Sequence, residues 1–218
     1  LFRSINHIDL LVLTHFDADH VGGIRGAMAG RSVGVALISG FRDDRPLVSV
    51  VSEALAVSAE SVIIGYSGMN GYLGSANWRV LSPTFEANEA EDSNDASLAL
   101  TFEFEQFNLL TLGDLGEKGQ ERLMRNSYPW LATLVQKPLI LKVAHHGSKD
   151  QSPKLHGLVE PDIALVSVGA GNDYGHPAQR ALFMLQSLAA KILRTDIHGA
   201  ISLRIEDDRL VANALFLP

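Results

Sequence analysis

Four side chains that can bind a metal ion lie within six residues near the start of the chain: His15, Asp17, Asp19 and His20. They follow the apolar run Ile8–Thr14, which is too short for a helix and is predicted to be a buried strand. Along an extended loop, His15 and Asp17 point to one side, while Asp19 and His20 can diverge to a neighbouring position. This spacing suits two metal ions a few ångströms apart and predicts metal-assisted hydrolysis.

Three later segments carry the same kinds of side chain. Residues 110–114 end on Asp114, residues 142–148 contain the pair His145-His146, and residues 172–177 end on His176-Pro177. Together with the first segment they offer imidazole and carboxylate ligands, and the 218 residues include no cysteine. Such a hard donor set is compatible with Zn²⁺ and shifts the expectation toward Mn²⁺ or Fe. Structural zinc sites are closed and often rich in cysteine, so an open catalytic site is the better interpretation.

The four segments, taken in order, resemble the motifs of the metallo-β-lactamase superfamily in its phosphodiesterase-like branch. Residues 15–20 match its usual HxHxDH motif, except that Asp17 stands where the second His would be. The segments at 142–148 and 172–177, with 195–196 and 199–201, are similar to the C-terminal hydrolase domain of the competence protein ComEC. The resemblance runs from about residue 8 to residue 206.

The resemblance implies how two divalent ions, Zn or Mn, would be held. One ion takes His15, Asp17 and a histidine of the 145–146 pair. The other takes Asp19, His20 and His176, and Asp114 bridges the two. From the residues alone Asp114 could also be the N-cap of a following helix.

The two adjacent histidines are not expected to be equal ligands, because neighbouring residues at a strand end point to opposite sides. We favour His146 as the ligand and His145 as the group that contacts the phosphate or protonates the leaving group, with the reverse assignment left open. Asp19 and Asp114 complete the expected catalytic set. The candidate substrate-binding residues are Asn94, Lys142, Ser148 and Tyr174. Asn94 is expected to position a loop or a water, and Tyr174 either bonds a phosphate oxygen or packs.

Short strand-like runs alternate with helical patterns along the chain, which argues for a layered α/β fold. The predicted strands include Val33–Ser39, Ser61–Tyr66 and Leu139–Ala144, and Glu117–Arg125 is predicted to be a helix. Asn70-Gly71 is predicted to mark a turn, and residues 86–95 form an acidic, loop-like stretch. The resemblance implies a four-layer αββα sandwich that forms one domain over residues 1–218. Superfamily members normally carry a β-hairpin upstream of the HxDxDH motif. Since the motif begins here at residue 15, the first strands of that sheet are expected to be missing from this chain.

Charge is uneven along the chain, whose net charge is −7. Residues 1–112 carry a net −8 and residues 113–218 a net +1, which excludes a uniformly basic protein that coats nucleic acid. Residues 118–154 are locally +5, as either a solvated face or an anion-binding rim beside the site. No apolar run is long enough to cross a membrane as a helix.

These features predict a hydrolase in which a hydroxide activated by two divalent ions cleaves phosphodiester bonds. Single-stranded DNA is the expected substrate. A small-molecule phosphoesterase, acting for example on a phosphorylcholine ester or a cyclic nucleotide, is the second hypothesis, and a non-catalytic metal-binding module of a larger assembly is the third. The sequence assigns neither an oligomeric state nor a compartment: a stand-alone enzyme would be cytoplasmic, whereas part of a DNA-uptake protein would face the periplasm or the exterior.

Overall fold

The first of two facing β-sheets is parallel and contains three strands in the order β1-β2-β3. The computed structural model describes residues 5–83 and 90–216, so residues 86–89 of the acidic stretch 86–95 lie outside it. The three strands begin and end within two residues of the sequence predictions, because each is a short β-branched or leucine-rich run. They are β1 (His7–Leu13), β2 (Ser32–Ile38) and β3 (Ala59–Ile64).

Three helices cover the outer face of this sheet: α1 (Ala18–Val21), α2 (Ile24–Met28) and α3 (Pro46–Ser58). Proline is favoured in the first turn of a helix, where its missing N–H costs nothing, and Pro46 occupies that position in α3. A core that includes Val21, Met28, Val33 and Leu55 joins the helices to the sheet. This layer fixes where the chain turns after β1.

The second sheet has seven strands in the order β10-β9-β8-β7-β6-β5-β4. Strands β7 to β10 run parallel, and β4 to β7 are antiparallel neighbours. The strands are β4 (Asn70–Leu73), β5 (Ala76–Ser82), β6 (Ala99–Glu103), β7 (Asn108–Thr111), β8 (Leu139–Lys142), β9 (Ile163–Val166) and β10 (Lys191–Arg194).

Each face of the second sheet is covered. Helices α4 (Glu117–Leu134), α5 (Pro153–Val159) and α6 (Gln179–Ser187) lie along the outer face, over a leucine-rich core. The inner face packs on the first sheet through residues such as Leu37 and Leu100. After the short helix α7 (Thr195–His198), the hairpin β11 (Ile201–Glu206) and β12 (Arg209–Ala214) covers the rest of that inner face. The predicted four-layer αββα sandwich is therefore confirmed.

Three local predictions differ from the structure in their bounds or in their type. The helix predicted over 117–125 continues to Leu134, with a kink at Ser127 shortly before Pro129. The strand predicted to reach residue 144 ends at Lys142. A strand replaces the turn predicted at residues 70–71, because Gly71 leaves room for the Trp78 ring; a Cβ there would lie 2.7 Å from that ring. Within residues 5–83 and 90–216, no helix is both long and apolar enough to cross a membrane.

Candidate metal centre

The predicted ligands meet at one edge of the sandwich, where several strands end. His15 to His20 follow β1, Asp114 follows β7, and His145 and His146 follow β8. Two backbone hydrogen bonds join these loops: the Leu98 amide donates to the Thr14 carbonyl at 2.9 Å, and the His145 amide donates to the Gly113 carbonyl at 3.1 Å. The edge therefore brings together chain segments from both sheets.

Four side chains form the tightest group: Asp19, His20, Asp114 and His146 each offer one ligand atom, and these atoms lie within 4.8 Å of one another. His20 Nε2 lies 3.2 Å from Asp114 Oδ1 and 3.2 Å from His146 Nε2. His146 Nε2 lies 3.1 Å from Asp19 Oδ2 and 3.6 Å from Asp114 Oδ2. We call these four residues the ligand cluster. Its nitrogen and oxygen donors suit a divalent ion.

His15 and Asp17 lie beside the ligand cluster, with the His15 and His20 ring centroids 4.1 Å apart. The buried His15 Nε2 is 4.0 Å from Asp17 Oδ2 and 4.0 Å from Asp114 Oδ2. Among the described residues this nitrogen has no hydrogen-bond partner. A buried and unpaired imidazole nitrogen is costly unless a further ligand satisfies it, which fits a second metal ion that shares Asp114.

The histidine rings are oriented by hydrogen bonds at Nδ1, the nitrogen away from the centre. His146 Nδ1 donates to the Ser167 carbonyl at 2.7 Å. His15 Nδ1 lies 3.0 Å from the Thr14 hydroxyl and 3.2 Å from the Ser97 hydroxyl, and His20 Nδ1 lies 3.4 Å from Thr14 Oγ1. In the metal-bound form, a proton on each Nδ1 would leave Nε2 free to bind a metal, as in many metalloenzymes. The residues present therefore fit divalent metal ions.

The surroundings place these groups in the protonation states that metal binding requires. Burial and the nearby His20 lower the pKa of His15 to about 4, so its ring is neutral at neutral pH. Burial alone would raise the pKa of Asp114, but its hydrogen bond and charge interaction with His20, together with His15 and His146, lower it to about 2. Asp114 is therefore ionised.

A left-handed turn explains how two adjacent histidines face the same centre. His145, His146 and Gly147 have φ values of 45°, 52° and 79°. A left-handed conformation costs roughly 1–2 kcal/mol for each residue that has a side chain. At Gly147 a Cβ would lie 2.7 Å from Pro177 Cβ, so a side chain would not fit there. The two histidines were expected to point to opposite sides because side chains alternate along a strand. That alternation does not apply to this turn.

The implied division of ligands between the two ions differs from the arrangement in the structure. His146 lies with Asp19 and His20, where the resemblance had placed His176. The His176 ring instead contacts the His145 ring edge to face, with 5.4 Å between centroids. His145 Nε2 is 3.9 Å from Asp114 Oδ2, and the side chain is one-third exposed. That position leaves His145 able to reach a bound substrate.

The four predicted substrate-binding residues are not all at the centre. Tyr174 lines one adjoining cavity, and Asn94 lines another together with Asp114 and His145. The Lys142 ammonium is buried and donates to the Val143 carbonyl at 2.9 Å, and burial lowers the pKa of Lys142. Ser148 is also buried, and its hydroxyl accepts the Asp150 amide at 3.3 Å. The polar atoms of Lys142 and Ser148 are turned to the backbone, and their role as substrate contacts stays a prediction.

Sequence reasoning missed a set of supporting residues. Ser97 accepts the Asp114 amide at 3.0 Å and contacts His15. Arg45 and Ser93 both donate to Asp17 Oδ1 at 2.7 Å. Although burial raises the pKa of Asp17, these two hydrogen bonds hold it below its ordinary value. Ser97 is the last residue of the segment 94–97, which resembles the Asn-x-x-Ser segment of the superfamily, but no role was expected of its side chain. No local signal indicates Arg45.

Three of the seven cations in the locally basic stretch 118–154 are paired with acids. Lys118 Nζ lies 3.2 Å from Glu91 Oε1, Arg122 Nη2 lies 2.5 Å from Asp95 Oδ1, and Lys154 Nζ lies 2.9 Å from Glu121 Oε1. These pairs neutralise part of the positive charge of the stretch. Around these three cations the stretch is therefore a charge-paired face.

Comparisons with curated proteins find relatives over nearly the whole chain, although no family model matches. The chain is 31% identical to ComE operon protein 3 of Bacillus subtilis over 94% of its own length and 26% of the relative. It is 29% identical to competence protein ComA of Neisseria gonorrhoeae over 91% of its length and 25% of that protein. Recombination protein 2 of Haemophilus influenzae is 22% identical over 93% of the chain and 23% of that protein. The chain thus spans about a quarter of these relatives.

Two solved structures align with most of this chain at low sequence identity. CmlA, a diiron β-hydroxylase from Streptomyces venezuelae, aligns with a TM-score of 0.54 and 15% identity over 87% of this chain and 44% of CmlA. The metallo-β-lactamase fold protein YhfI from Bacillus subtilis aligns with a TM-score of 0.49 and 11% identity over 85% of this chain and 73% of YhfI. At this identity, the likeness to CmlA shows the fold alone.

Proposed function

Since this chain has the metallo-β-lactamase fold and is homologous to a part of the ComEC-type competence proteins, we propose that it is a metal-dependent hydrolase that cleaves phosphodiester bonds in DNA. The observation that carries the proposal is the convergence of Asp19, His20, Asp114 and His146 at one edge of the sandwich. His15 and Asp17 adjoin this cluster and share Asp114 with it. The relatives that are named for competence and recombination support DNA as the substrate class.

The cluster residues would hold the metal ions. When bound, divalent ions supply a water that loses a proton near neutral pH, and they stabilise negative charge on the phosphate. Asp114 lies between the two groups of ligands and is ionised, so it is suited to bridge them. His145 is partly exposed beside Asp114 and is suited to donate a proton to the ester oxygen that leaves when water attacks phosphorus.

The test joins metal content to turnover. Purified protein should contain close to two divalent ions per chain by mass spectrometry and hydrolyse bis-p-nitrophenyl phosphate in the presence of Mn²⁺ or Zn²⁺. Asp114→Ala should lose both properties. His7→Ala serves as the matched control for His146→Ala, because His7 is exposed and contacts only Ser32 through its side chain among the described hydrogen bonds. Full turnover in His146→Ala, or a protein without metal or turnover under any ion, would refute the proposal.

A His145→Gln variant separates the role of a proton donor from that of a ligand. If His145 protonates the leaving oxygen, the variant should keep its metal and lose activity most strongly on esters with poor leaving groups. Activity on p-nitrophenyl esters should fall less, because p-nitrophenolate leaves without a proton. Loss of metal from this variant would instead make His145 a ligand.

A small phosphodiester is the second candidate substrate, and the paired cations favour it. Because Lys118, Arg122 and Lys154 are each engaged by a carboxylate, three of the seven cations in residues 118–154 are less available to follow a long phosphate backbone. DNA binding that uses many phosphate contacts weakens steeply with salt. Raising the salt concentration from about 50 to 200 mM should therefore reduce hydrolysis of a DNA substrate by at least tenfold, whereas a small diester should be cleaved at an almost unchanged rate.

A further inference from the structure

The cavity on one side of the ligand cluster ends at an exposed aromatic ring. The Tyr174 side chain is 85% exposed. Its ring lies nearly parallel to the His176 ring, with 20° between the planes and 6.3 Å between the centroids. His176 in turn contacts His145, which adjoins Asp114. The Tyr174 ring is thus supported from the side of the metal centre, and most of its surface is free to contact a ligand.

Apart from the His176 imidazole, the wall of this cavity away from the metal centre carries no acidic or basic side chain. Its volume is about 370 Å³, and it opens on Asp19 and His146 of the ligand cluster. The other lining residues are Ser167, Val168, Gly169, Asn172, Tyr174, His176 and Thr195. A phosphate would therefore be drawn to the metal centre, and the outer wall suits an uncharged group attached to that phosphate.

Two polar side chains of the wall, Asn172 and Thr195, are already hydrogen-bonded to the backbone. The Asn172 amide donates to the carbonyls of Gly169 and His176, at 3.2 and 2.7 Å, and its oxygen accepts the His176 amide at 3.2 Å. The Thr195 hydroxyl donates to the Val168 carbonyl and accepts the Val168 amide, both at 2.7 Å. These bonds hold the loop that carries Tyr174 and occupy the polar atoms of both side chains, whereas the exposed Tyr174 ring stays available for stacking.

We propose that this cavity is a subsite for the planar base of a nucleoside whose phosphate lies at the ligand cluster, with Tyr174 as the stacking surface. The proposal rests on the proposed function and adds the group that is recognised next to the phosphate. A volume near 370 Å³ is within the range of small-molecule pockets. Because every base has a π-face, stacking selects nucleotides over base-free sugar phosphates and discriminates little among the bases.

A binding experiment on the Mn²⁺-loaded protein tests the subsite without requiring turnover. Titration calorimetry would compare thymidine 5′-monophosphate with 2-deoxyribose 5-phosphate, which differ only by the base and its link to the sugar. Stacking of one base contributes about 1–3 kcal/mol, so the nucleotide should bind about 5- to 150-fold more tightly. Deoxyadenosine 5′-monophosphate should bind within a few-fold of the thymidine nucleotide.

Three variants locate the effect. Tyr174→Ala should bring the ratio of the two dissociation constants close to one, whereas Tyr174→Phe should keep it because the ring is retained. Tyr72→Ala is the matched control, since Tyr72 is a similarly exposed tyrosine on β4 and does not line the cavity. It should leave the ratio unchanged.

The proposal would be overturned if the wild-type protein bound both compounds equally, bound neither, or kept its preference in Tyr174→Ala. Turnover of bis-p-nitrophenyl phosphate by the same preparation is scored separately. Turnover without preference for the base would defeat the subsite alone, whereas preference for the base without turnover would defeat the proposed hydrolase and leave the subsite standing.

Discussion

Replacing Ser97 by alanine should damage the protein in two separable ways. The Ser97 side chain is buried, accepts the Asp114 amide at 3.0 Å and lies 3.2 Å from His15 Nδ1. It therefore connects the proposed bridging carboxylate with a proposed ligand of the other sheet. Without the hydroxyl, the Asp114 amide loses its hydrogen-bond acceptor and His15 loses one of its two orienting contacts.

The first effect is on folding and does not depend on metal. An unsatisfied buried donor costs about 1–3 kcal/mol, so Ser97→Ala should lower the free energy of unfolding in EDTA by about that amount. The second effect is on metal affinity, because groups that orient a metal ligand are typically worth 10- to 100-fold in affinity. That loss of affinity corresponds to about 1.4–2.7 kcal/mol. At saturating metal it adds to the destabilisation seen in EDTA, because only the folded chain has the assembled metal site.

Urea unfolding of the wild type and the variant, in EDTA and in excess Mn²⁺, measures both effects. Ser202→Ala is the control, since Ser202 is exposed on the β11–β12 hairpin, and it should change stability little in either condition. If the destabilisation of Ser97→Ala is the same with and without Mn²⁺, Ser97 does not orient metal ligands. If Ser97→Ala causes no destabilisation in EDTA, the hydrogen bond from the Asp114 amide to Ser97 does not stabilise the folded chain.

Two further changes test the surroundings of the site. Arg45→Ala leaves the buried Asp43 carboxylate unpaired and should lower the free energy of unfolding, measured in urea, by about 1–3 kcal/mol. The control Arg204→Ala removes an exposed ion pair and should lower it by less than about 1 kcal/mol. Equal effects of the two changes would contradict this prediction. His156 is buried and donates to the Ser152 carbonyl, and burial lowers its pKa. As pH falls, the unfolded chain therefore takes up a proton at His156 at a higher pH than the folded chain does. The free energy of unfolding should thus fall as pH drops below about 6.5. Urea unfolding in EDTA should therefore show stability falling more steeply from pH 6.5 to 5.5 in the wild type than in His156→Leu, by up to about 1.4 kcal/mol per pH unit, and parallel profiles would refute it.

Much of the fold was predictable because the strands are short apolar runs that end at polar motifs. β1 was recognisable from its sequence, and the motif after it indicated where the chain leaves the sheet. The continuation of α4 past residue 125 was not predictable from periodicity, because Ser127 and Pro129 resemble a helix end and only packing carries the helix on to Leu134. Gly71 was equally misleading, since a partner on another strand decides its role.

For the candidate site, the sequence indicated the ligand types better than their grouping. Asp19 and His20 are neighbours in sequence and in space, so their pairing was accessible. The position of His146 beside them depends on a left-handed turn, and no residue before Gly147 indicates this turn in the sequence. Arg45 reaches Asp17 across 28 residues of chain, a contact that only the tertiary structure creates. The features that the sequence did not predict are therefore those that depend on backbone conformation or on long-range packing.

The arrangement of the ligands has a consequence for the two sheets. His15 and His20 follow β1 of the first sheet, whereas Asp114 and His146 follow strands of the second. Bound metal would therefore tie the sheets together at this edge. Its removal would leave the Asp19 and Asp114 carboxylates, whose ligand atoms lie within 4.8 Å of each other, without a metal ion between them.

We expect chelation to loosen this edge locally. Measured by mass spectrometry, amide hydrogen exchange should quicken in residues 14–20, 112–116 and 143–148 when EDTA replaces Mn²⁺. Exchange in the β11–β12 hairpin should change little, because Ile140, Ile163 and Leu193 hold it to the far part of the second sheet. An acceleration spread evenly over the chain would mean that metal acts only on global stability. No acceleration in the three loops would mean that metal does not join the sheets at this edge.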